Sequence, residues 1–151
     1  MKKIFLTFFT LILLSTNSYS AGSDDPPVTK VKSYYAKAVD LIKIAKKYDI
    51  HYWDGSRRTG YGGYKFIPGH WKKMAEQLIK TYNLGPGSKV LDVGCGKAFL
   101  LHEMKLLEPK LDIMGFDISK YALELNTDLT KPFVYYHKAQ IPINTKTKKL
   151  I

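Results

Sequence analysis

The stretch that decides the fold is residues 88–100, which reads Ser-Lys-Val-Leu-Asp-Val-Gly-Cys-Gly-Lys-Ala-Phe-Leu. Its first half is a short apolar run typical of a buried strand, and the run ends in a turn built on Gly94 and Gly96. Glycine suits such a turn because it adopts positive φ angles freely and lets a ligand approach the backbone. The stretch therefore predicts a strand that runs into a helix, with the turn as a candidate site for a nucleotide-like cofactor.

A second apolar run, at residues 111–116, follows at the separation expected for one βαβ unit. It ends in Asp117, about 20 residues after Gly96, where an acidic side chain can hold the two hydroxyls of a ribose. A dinucleotide-binding turn would carry a third glycine where this chain has Phe99. The spacing therefore disfavours NAD and leaves another nucleoside-containing cofactor, or an ordinary strand-turn-helix junction without a ligand.

The acidic residue and alternating small residues Asp92, Gly94, Gly96 and Ala98 resemble the first motif of class I S-adenosylmethionine (SAM)-dependent methyltransferases. The resemblance implies a three-layer, Rossmann-like α/β sheet, of which residues 88–140 supply the first three strands, and SAM as the cofactor. Ala98 replaces the family's usual third glycine, so we expect modestly less room beside the cofactor. The resemblance implies these cofactor-binding residues: Asp92, Gly94, Cys95, Gly96, Ala98, Asp117 and Ile118.

The chemistry that the resemblance implies needs few special side chains. Methyl transfer from a sulfonium is an in-line displacement, so close approach of the acceptor matters more than a strong acid or base. No catalytic residue is therefore assigned. Lys138 stands where the family often has an acidic residue for the adenine amino group, which argues against that contact here.

Residues 48–71 are dense in aromatic residues and glycines, and they resemble the segment that precedes the core in a subgroup of small-substrate methyltransferases. The resemblance implies a lid over the SAM pocket within an N-terminal segment at 48–87. Two alternatives are a surface loop packed on the core and a stacking platform for nucleic acid, but the glycine turn favours the lid. The implied lid and substrate residues are Trp53, Arg57, Tyr61, Tyr64 and Trp71.

Periodicity predicts the elements around these motifs. Apolar residues at helical spacing predict helices at 71–79 and 97–107, Ser119 is placed to cap a short helix, and 133–136 is rich in strand-forming residues. His102 is interpreted as a packing histidine, and no His or Cys grouping has the spacing of a metal site.

The two ends of the chain give conflicting indications. Residues 1–20 have the pattern of a secretory signal peptide and point to an envelope compartment, whereas a SAM enzyme belongs in the cytoplasm. Residues 21–47 are predicted as a linker with a Lys-rich amphipathic helix, and residues 141–151 as a basic tail. The family's core has seven strands, so the sequence looks truncated after the third. We expect the strand at 90–93 to keep an open edge for self-association or a complementary chain.

Composition adds broad limits. The chain has 151 residues, enough for one domain, and a formal net charge of +11 whose lysines are scattered. Its single cysteine, Cys95, cannot form an internal disulfide. The preferred hypothesis is a SAM-dependent methyltransferase acting on a small-molecule acceptor, without a metal and with nucleic acid not favoured. The alternatives are a small exported basic protein that binds an anionic surface or polymer, and a non-catalytic SAM-binding fragment.

Overall fold

The computed structural model describes residues 3–7, 28–141, 143–144 and 149–150, with side chains described for residues 30–141. Along the chain the elements are β1 (Lys3–Thr7), α1 (Val28–Ala45), α2 (Ile50–Trp53), α3 (Lys72–Thr81), β2 (Lys89–Val93), α4 (Phe99–Leu107), β3 (Asp112–Asp117), α5 (Lys120–Glu124), a 3-10 turn (Lys131–Phe133), β4 (Val134–Tyr136), β5 (Ile143–Asn144) and β6 (Lys149–Leu150).

The central sheet is parallel, with strand order β1-β2-β3-β4. In register, Val90 of β2 pairs with Ile113 of β3, and Val93 pairs with Phe116. Parallel pairing places the ends of β2 and β3 side by side, so the glycine turn after β2 and Asp117 at the end of β3 meet at one edge. Strands β5 and β6 form a separate antiparallel pair.

The core lies between the sheet and helix α4. Leu101 and Met104 of α4 are fully buried, and they join Val90, Leu111 and Ile113 in one apolar cluster. Helix α3 packs against α4, and its fully buried Ala75 belongs to the same apolar cluster. Burial of these side chains, at about 2 kcal/mol for each large one, holds the strand-turn-helix unit rigid behind the glycine turn.

The structure confirms the predicted α/β class, the three strands from 88 to 140 and the helices between them. The helix predicted from residue 97 begins at Phe99, because Ala98 adopts a left-handed backbone conformation with φ of 55° and so cannot belong to the helix. Ser119 caps α5 as predicted, since its Oγ accepts a hydrogen bond from the Ala122 backbone N–H at 3.0 Å.

The prediction of an open edge on the strand at 90–93 is wrong in this structure. Strand β1 pairs with that edge in parallel, with Ile4 opposite Val90 and Leu6 opposite Asp92. The same residues belong to the predicted signal peptide, whose positions 8–20 lie outside the described residues. Of the predicted basic tail, only residues 141, 143–144 and 149–150 are described. None of the described helices is long and apolar enough to cross a membrane.

Candidate active site

Backbone hydrogen bonds connect the glycine turn to the end of β3. The N–H groups of Gly94 and Cys95 both donate to the Phe116 carbonyl, at 2.8 and 3.1 Å. Gly94 and Gly96 have φ angles of 80° and 55°, which side-chain-bearing residues rarely adopt. A Cβ at Gly94 would meet nothing within 4 Å, so the turn presents open backbone to the space in front of it.

Asp117 organises this turn from the neighbouring strand. Its Oδ2 accepts from the Gly96 N–H at 2.8 Å, and its Oδ1 accepts from the Ser119 N–H at 2.7 Å. Burial raises the pKa of Asp117, and the backbone hydrogen bonds from Ser119, Gly96 and Ile118 oppose that rise. A carboxylate has about four lone-pair sites, so beside these three backbone donors the Asp117 side chain can still accept a hydrogen bond from a ligand.

Asp92 is the buried acid of the site. It is 2% exposed, and its Oδ1 has no hydrogen-bond partner. Burial, followed by the nearby charge of Asp117, raises the pKa of Asp92 to about 7. A buried carboxylate oxygen without a partner is costly, so this atom is a ready acceptor for a donor or a cation on a ligand.

An aromatic lid covers the glycine turn; it comprises α2 and the loop that follows, residues 50–66. The rings of Trp53 and Tyr61 are stacked, with centroids 5.1 Å apart and planes within 4°. Trp53 also donates from Nε1 to Ser119 Oγ at 2.8 Å. A Cβ built on Gly96 would lie 2.6 Å from the Trp53 ring, so this indole rests directly on the turn. The ring of Tyr64 stacks on Phe99, with centroids 5.1 Å apart.

A buried ion pair locks the lid to the turn. Lys97, inside the glycine turn, donates from Nζ to both carboxylate oxygens of Asp54 at 3.0 and 2.8 Å and to the Tyr64 carbonyl at 2.7 Å. Asp54 also accepts from the Tyr64 N–H at 2.9 Å and from the Tyr121 hydroxyl at 2.7 Å. Burial works against ionisation of Asp54, but the hydrogen bonds from Lys97, Tyr64 and Tyr121 lower its pKa to about 2. The group is therefore an ion pair at neutral pH.

These parts enclose one cavity of about 500 Å³. The structure brings most of the sequence-predicted site residues into its walls. Its lining comprises Tyr48, Tyr52, Trp53, Tyr61, Tyr64, Trp71, Asp92, Gly94, Cys95, Gly96, Leu100, Asp117 and Ile118.

Two predicted residues lie elsewhere. Ala98 is 1% exposed and packs in the core cluster, so its methyl group does not narrow the cavity as expected. Arg57 is exposed and is absent from the cavity lining. Its stem instead packs beside Gly62, where an added Cβ would lie 2.4 Å from Arg57 Cγ.

Sequence reasoning missed several residues of the site. Tyr48 and Leu100 line the cavity, and the ion pair of Asp54 with Lys97 and its partner Tyr121 was not foreseen. Tyr48 lay within the aromatic segment, so its type was a usable signal. Asp54 and Lys97 are 43 residues apart, and no local pattern connects them.

The other side chains that could react or bind a ligand, Cys95, His102 and Lys138, lie in surroundings that give them no chemical role in the cavity. Burial raises the pKa of the Cys95 thiol well above its ordinary value, which keeps the thiol protonated at neutral pH. His102 Nδ1 lies 2.7 Å from Thr127 Oγ1, and its ring meets Phe66 edge-on. Lys138 is exposed and is not part of the cavity lining. Among the described residues, no group of three or more His, Cys, Asp or Glu could hold a metal ion.

Comparison with known proteins agrees with this geometry. Residues 84–132 match the family model of a methyltransferase domain. The chain is also similar to the malonyl-[acyl-carrier protein] O-methyltransferase of Hahella chejuensis (strain KCTC 2396), with 23% identity over 118 residues. The alignment covers 76% of this chain and 39% of that protein, so the chain spans less than half the length of this relative. The fold, the glycine turn and the two matches together support a methyltransferase domain of the class I, SAM-dependent type around residues 84–132.

Proposed function

We propose that this chain binds SAM in the cavity over the glycine turn and transfers its methyl group to a small-molecule acceptor. The observation that carries the proposal is the meeting of Asp92, Asp117 and the Gly94–Gly96 turn in one cavity beneath an aromatic lid. The methyltransferase family match implies SAM use in general, and the acidic and aromatic lining of the cavity suits a cofactor that carries cationic groups.

The methionine end of SAM suits the turn. Its ammonium group would take the hydrogen-bonding position at Asp92 Oδ1, which has no partner in the protein. Open space in front of Gly94 admits a ligand against the backbone. An ammonium beside a buried carboxylate favours its ionised form, so binding would offset the cost of burying Asp92.

The nucleoside end suits Asp117 and the lid. The remaining acceptor site of the Asp117 carboxylate suits a ribose hydroxyl, and the aromatic side chains of the lid supply flat apolar walls. Aromatic faces also attract a cation such as a sulfonium. Trp53, 6% exposed, lies over Gly96, so we expect its ring to shift when SAM enters.

Bound SAM would supply an electrophilic methyl group on sulfur. The residues of this chain would then act by holding and orienting it and by excluding water under the lid. The tyrosines of the lid stay protonated at neutral pH, since burial raises the pKa of Tyr52, Tyr61 and Tyr64, the last to about 12. Their hydroxyl groups can therefore donate hydrogen bonds to the molecule that receives the methyl group.

The chemical class of the acceptor is only partly constrained. The similar Hahella protein is named as an O-methyltransferase of malonyl-[acyl-carrier protein], and a malonyl group carries a carboxylate. Among the described residues that line this cavity there is no Lys or Arg to hold a carboxylate. We therefore do not extend that acceptor to this chain, and we propose a neutral or cationic small molecule.

The test is calorimetric titration of SAM into the full chain and into two variants. Asp117→Ala removes the proposed ribose acceptor, and we expect at least a tenfold loss of affinity. Asp112→Ala, at the opposite end of β3 and outside the cavity, is the matched control and should bind as wild type. Absence of heat from a wild-type protein shown to be folded by circular dichroism, or equal binding by both variants, would overturn the proposal.

A further inference from the structure

Helix α1 presents an apolar face to solvent. Val31, Tyr34, Ala38, Leu41 and Ala45 recur at alternating spacings of three and four residues. Tyr35 and Ile42 widen this stripe to an arc of roughly 120° at 100° per residue. The exposed fractions are 65% for Tyr34, 69% for Tyr35 and 52% for Ile42. So wide an apolar arc normally faces a partner surface.

The described part of the chain leaves most of this face uncovered. Helix α1 packs against α2, and residues 32–40 are all exposed. Only Val31 and, near the other end, Leu41, Ile44 and Ala45 are half-buried. The exposed stretch is about two and a half turns long, and none of its residues lines the cavity.

Lysines flank the apolar face on both sides. On a helical projection of α1, Lys30 and Lys37 border one side of the apolar face and Lys32 the other, while Lys43 lies on the polar face. The single acidic residue of α1 is Asp40, which is paired with Lys43 at 3.4 Å. The helix is therefore basic along both borders of its apolar stripe. If the stripe is buried in another surface, the lysine stems can lie along it while their ammonium groups stay in water.

We propose that α1 lies in the plane of an anionic phospholipid membrane surface, with its apolar face among the headgroups and its lysines on the phosphates. Charge complementarity selects an anionic partner, and this arrangement of residues is that of an interfacial helix. Tyrosines suit the headgroup region, because one end of the ring is apolar and the other can hydrogen-bond.

Two other partners, a protein groove and a second copy of this chain, fit the apolar face of α1 less well. A protein groove that receives a helix needs large apolar anchors along the centre of the face, and here the centre is Ala38, while the larger Tyr34, Tyr35 and Ile42 lie to either side of it. A second copy of α1 would bring the bordering lysines of one helix close to those of the other, and like charges at those positions oppose pairing.

The test is co-sedimentation of the full chain, without SAM, with phosphatidylglycerol-containing vesicles and with pure phosphatidylcholine vesicles. We expect binding to the anionic vesicles and at least tenfold weaker partitioning to the neutral ones. Changing Lys30, Lys32, Lys37 and Lys43 to Gln should lower partitioning to anionic vesicles at least tenfold, since each lysine near such a surface contributes about 1 kcal/mol, or roughly fivefold. The combined Tyr34→Ser and Tyr35→Ser variant should also lose at least tenfold.

A matched control changes four exposed lysines elsewhere to Gln: Lys73, Lys80, Lys110 and Lys138. The control should retain most of the wild-type partitioning. Equal loss in both lysine variants would overturn the proposal in favour of non-specific charge. Unchanged binding in both α1 variants would overturn it by placing the contact in residues before 28. A concentration-dependent dimer that the tyrosine variant abolishes, seen by sedimentation velocity without vesicles, would assign the face to a second copy instead.

Discussion

Lys97 Nζ and Asp54 Oδ2 lie 2.8 Å apart, and this pair joins the glycine turn to the aromatic lid. The two side chains are unequally buried, at 4% exposure for Lys97 and 21% for Asp54. Removing one partner of a buried pair leaves the other charge uncompensated, and the cost depends on how deeply that remaining charge is buried. The two single variants should therefore differ.

We expect Asp54→Asn to lower the free energy of unfolding by about 3 kcal/mol, because the buried Lys97 charge loses its counter-ion. Lys97→Met should cost less, about 1–2 kcal/mol, since Asp54 keeps hydrogen bonds from Tyr64 and Tyr121 and some contact with water. Urea unfolding followed by circular dichroism measures both. The exposed pair of Lys131 and Asp128 supplies the control, and Lys131→Met should leave stability unchanged within error. Equal and small effects of the two test variants would show that the pair is not a buried lock.

Loosening this pair should also expose Trp53. The chain has two tryptophans, Trp53 and Trp71, so Trp71→Phe leaves Trp53 as the sole indole fluorophore. Trp53 is 6% exposed, and we expect weak quenching of its emission by acrylamide in that background. Adding Lys97→Met should increase the quenching constant at least twofold while far-ultraviolet circular dichroism stays unchanged. No increase would mean that ring stacking with Tyr61 and the bond to Ser119 hold the lid without the ion pair.

The pH dependence of stability should report on Asp92. Its pKa is about 7 in the folded chain and about 3.9 when unfolded. Below about pH 4 both states are protonated and the group costs nothing. Between about pH 4 and 7 the unfolded state releases its proton while the folded state keeps it, so stability falls as the pH rises. Above about pH 7 the loss is complete.

Asp92→Asn should remove this decline, which urea titrations at pH 4, 6 and 8 would reveal. Binding of SAM should follow the opposite course in wild type, tightening as the pH rises toward 7, because the ammonium group favours the ionised carboxylate. A decline that persists in Asp92→Asn would assign it to another group.

The local sequence was enough to predict the strand-turn-helix unit, because a period of apolar residues and two glycines determine it over one short stretch. It also placed Asp92 and Asp117 correctly at neighbouring strand ends, since parallel pairing brings such ends together. The ion pair of Asp54 with Lys97 could not be predicted, because tertiary packing alone joins positions so far apart in the chain. The β1 pairing was missed for another reason: an apolar run at an N-terminus predicts a signal peptide and a strand equally well.

Ala98 illustrates how a motif position can mislead. In the motif it stands where a third glycine would face the cofactor, yet its methyl group packs in the core. We expect Ala98→Gly to leave SAM affinity within about twofold of wild type. Its stability should change by less than about 1 kcal/mol, because relief of the left-handed backbone, worth about 1–2 kcal/mol, offsets a lost buried methyl and added chain entropy. Calorimetry and urea unfolding measure the two effects, and a clear gain in affinity would restore Ala98 to the cavity wall.

Substitutions at Gly94 and Gly115 should distinguish residues that contact SAM from residues that only support the turn. A Cβ at Gly94 meets nothing within 4 Å, so Gly94→Ala should cost only the backbone strain of a positive φ, about 1–2 kcal/mol. The added methyl would stand in the space that the proposed SAM site uses, and we expect at least a tenfold loss of affinity. At Gly115 a Cβ would lie 2.8 Å from Leu101 Cδ1 and 2.9 Å from Cys95 Sγ, behind the turn. Gly115→Ala should therefore cost about 1–3 kcal/mol by overpacking, while the variant that remains folded keeps most of its affinity. The reverse pattern, with Gly94→Ala binding normally, would place SAM away from the turn.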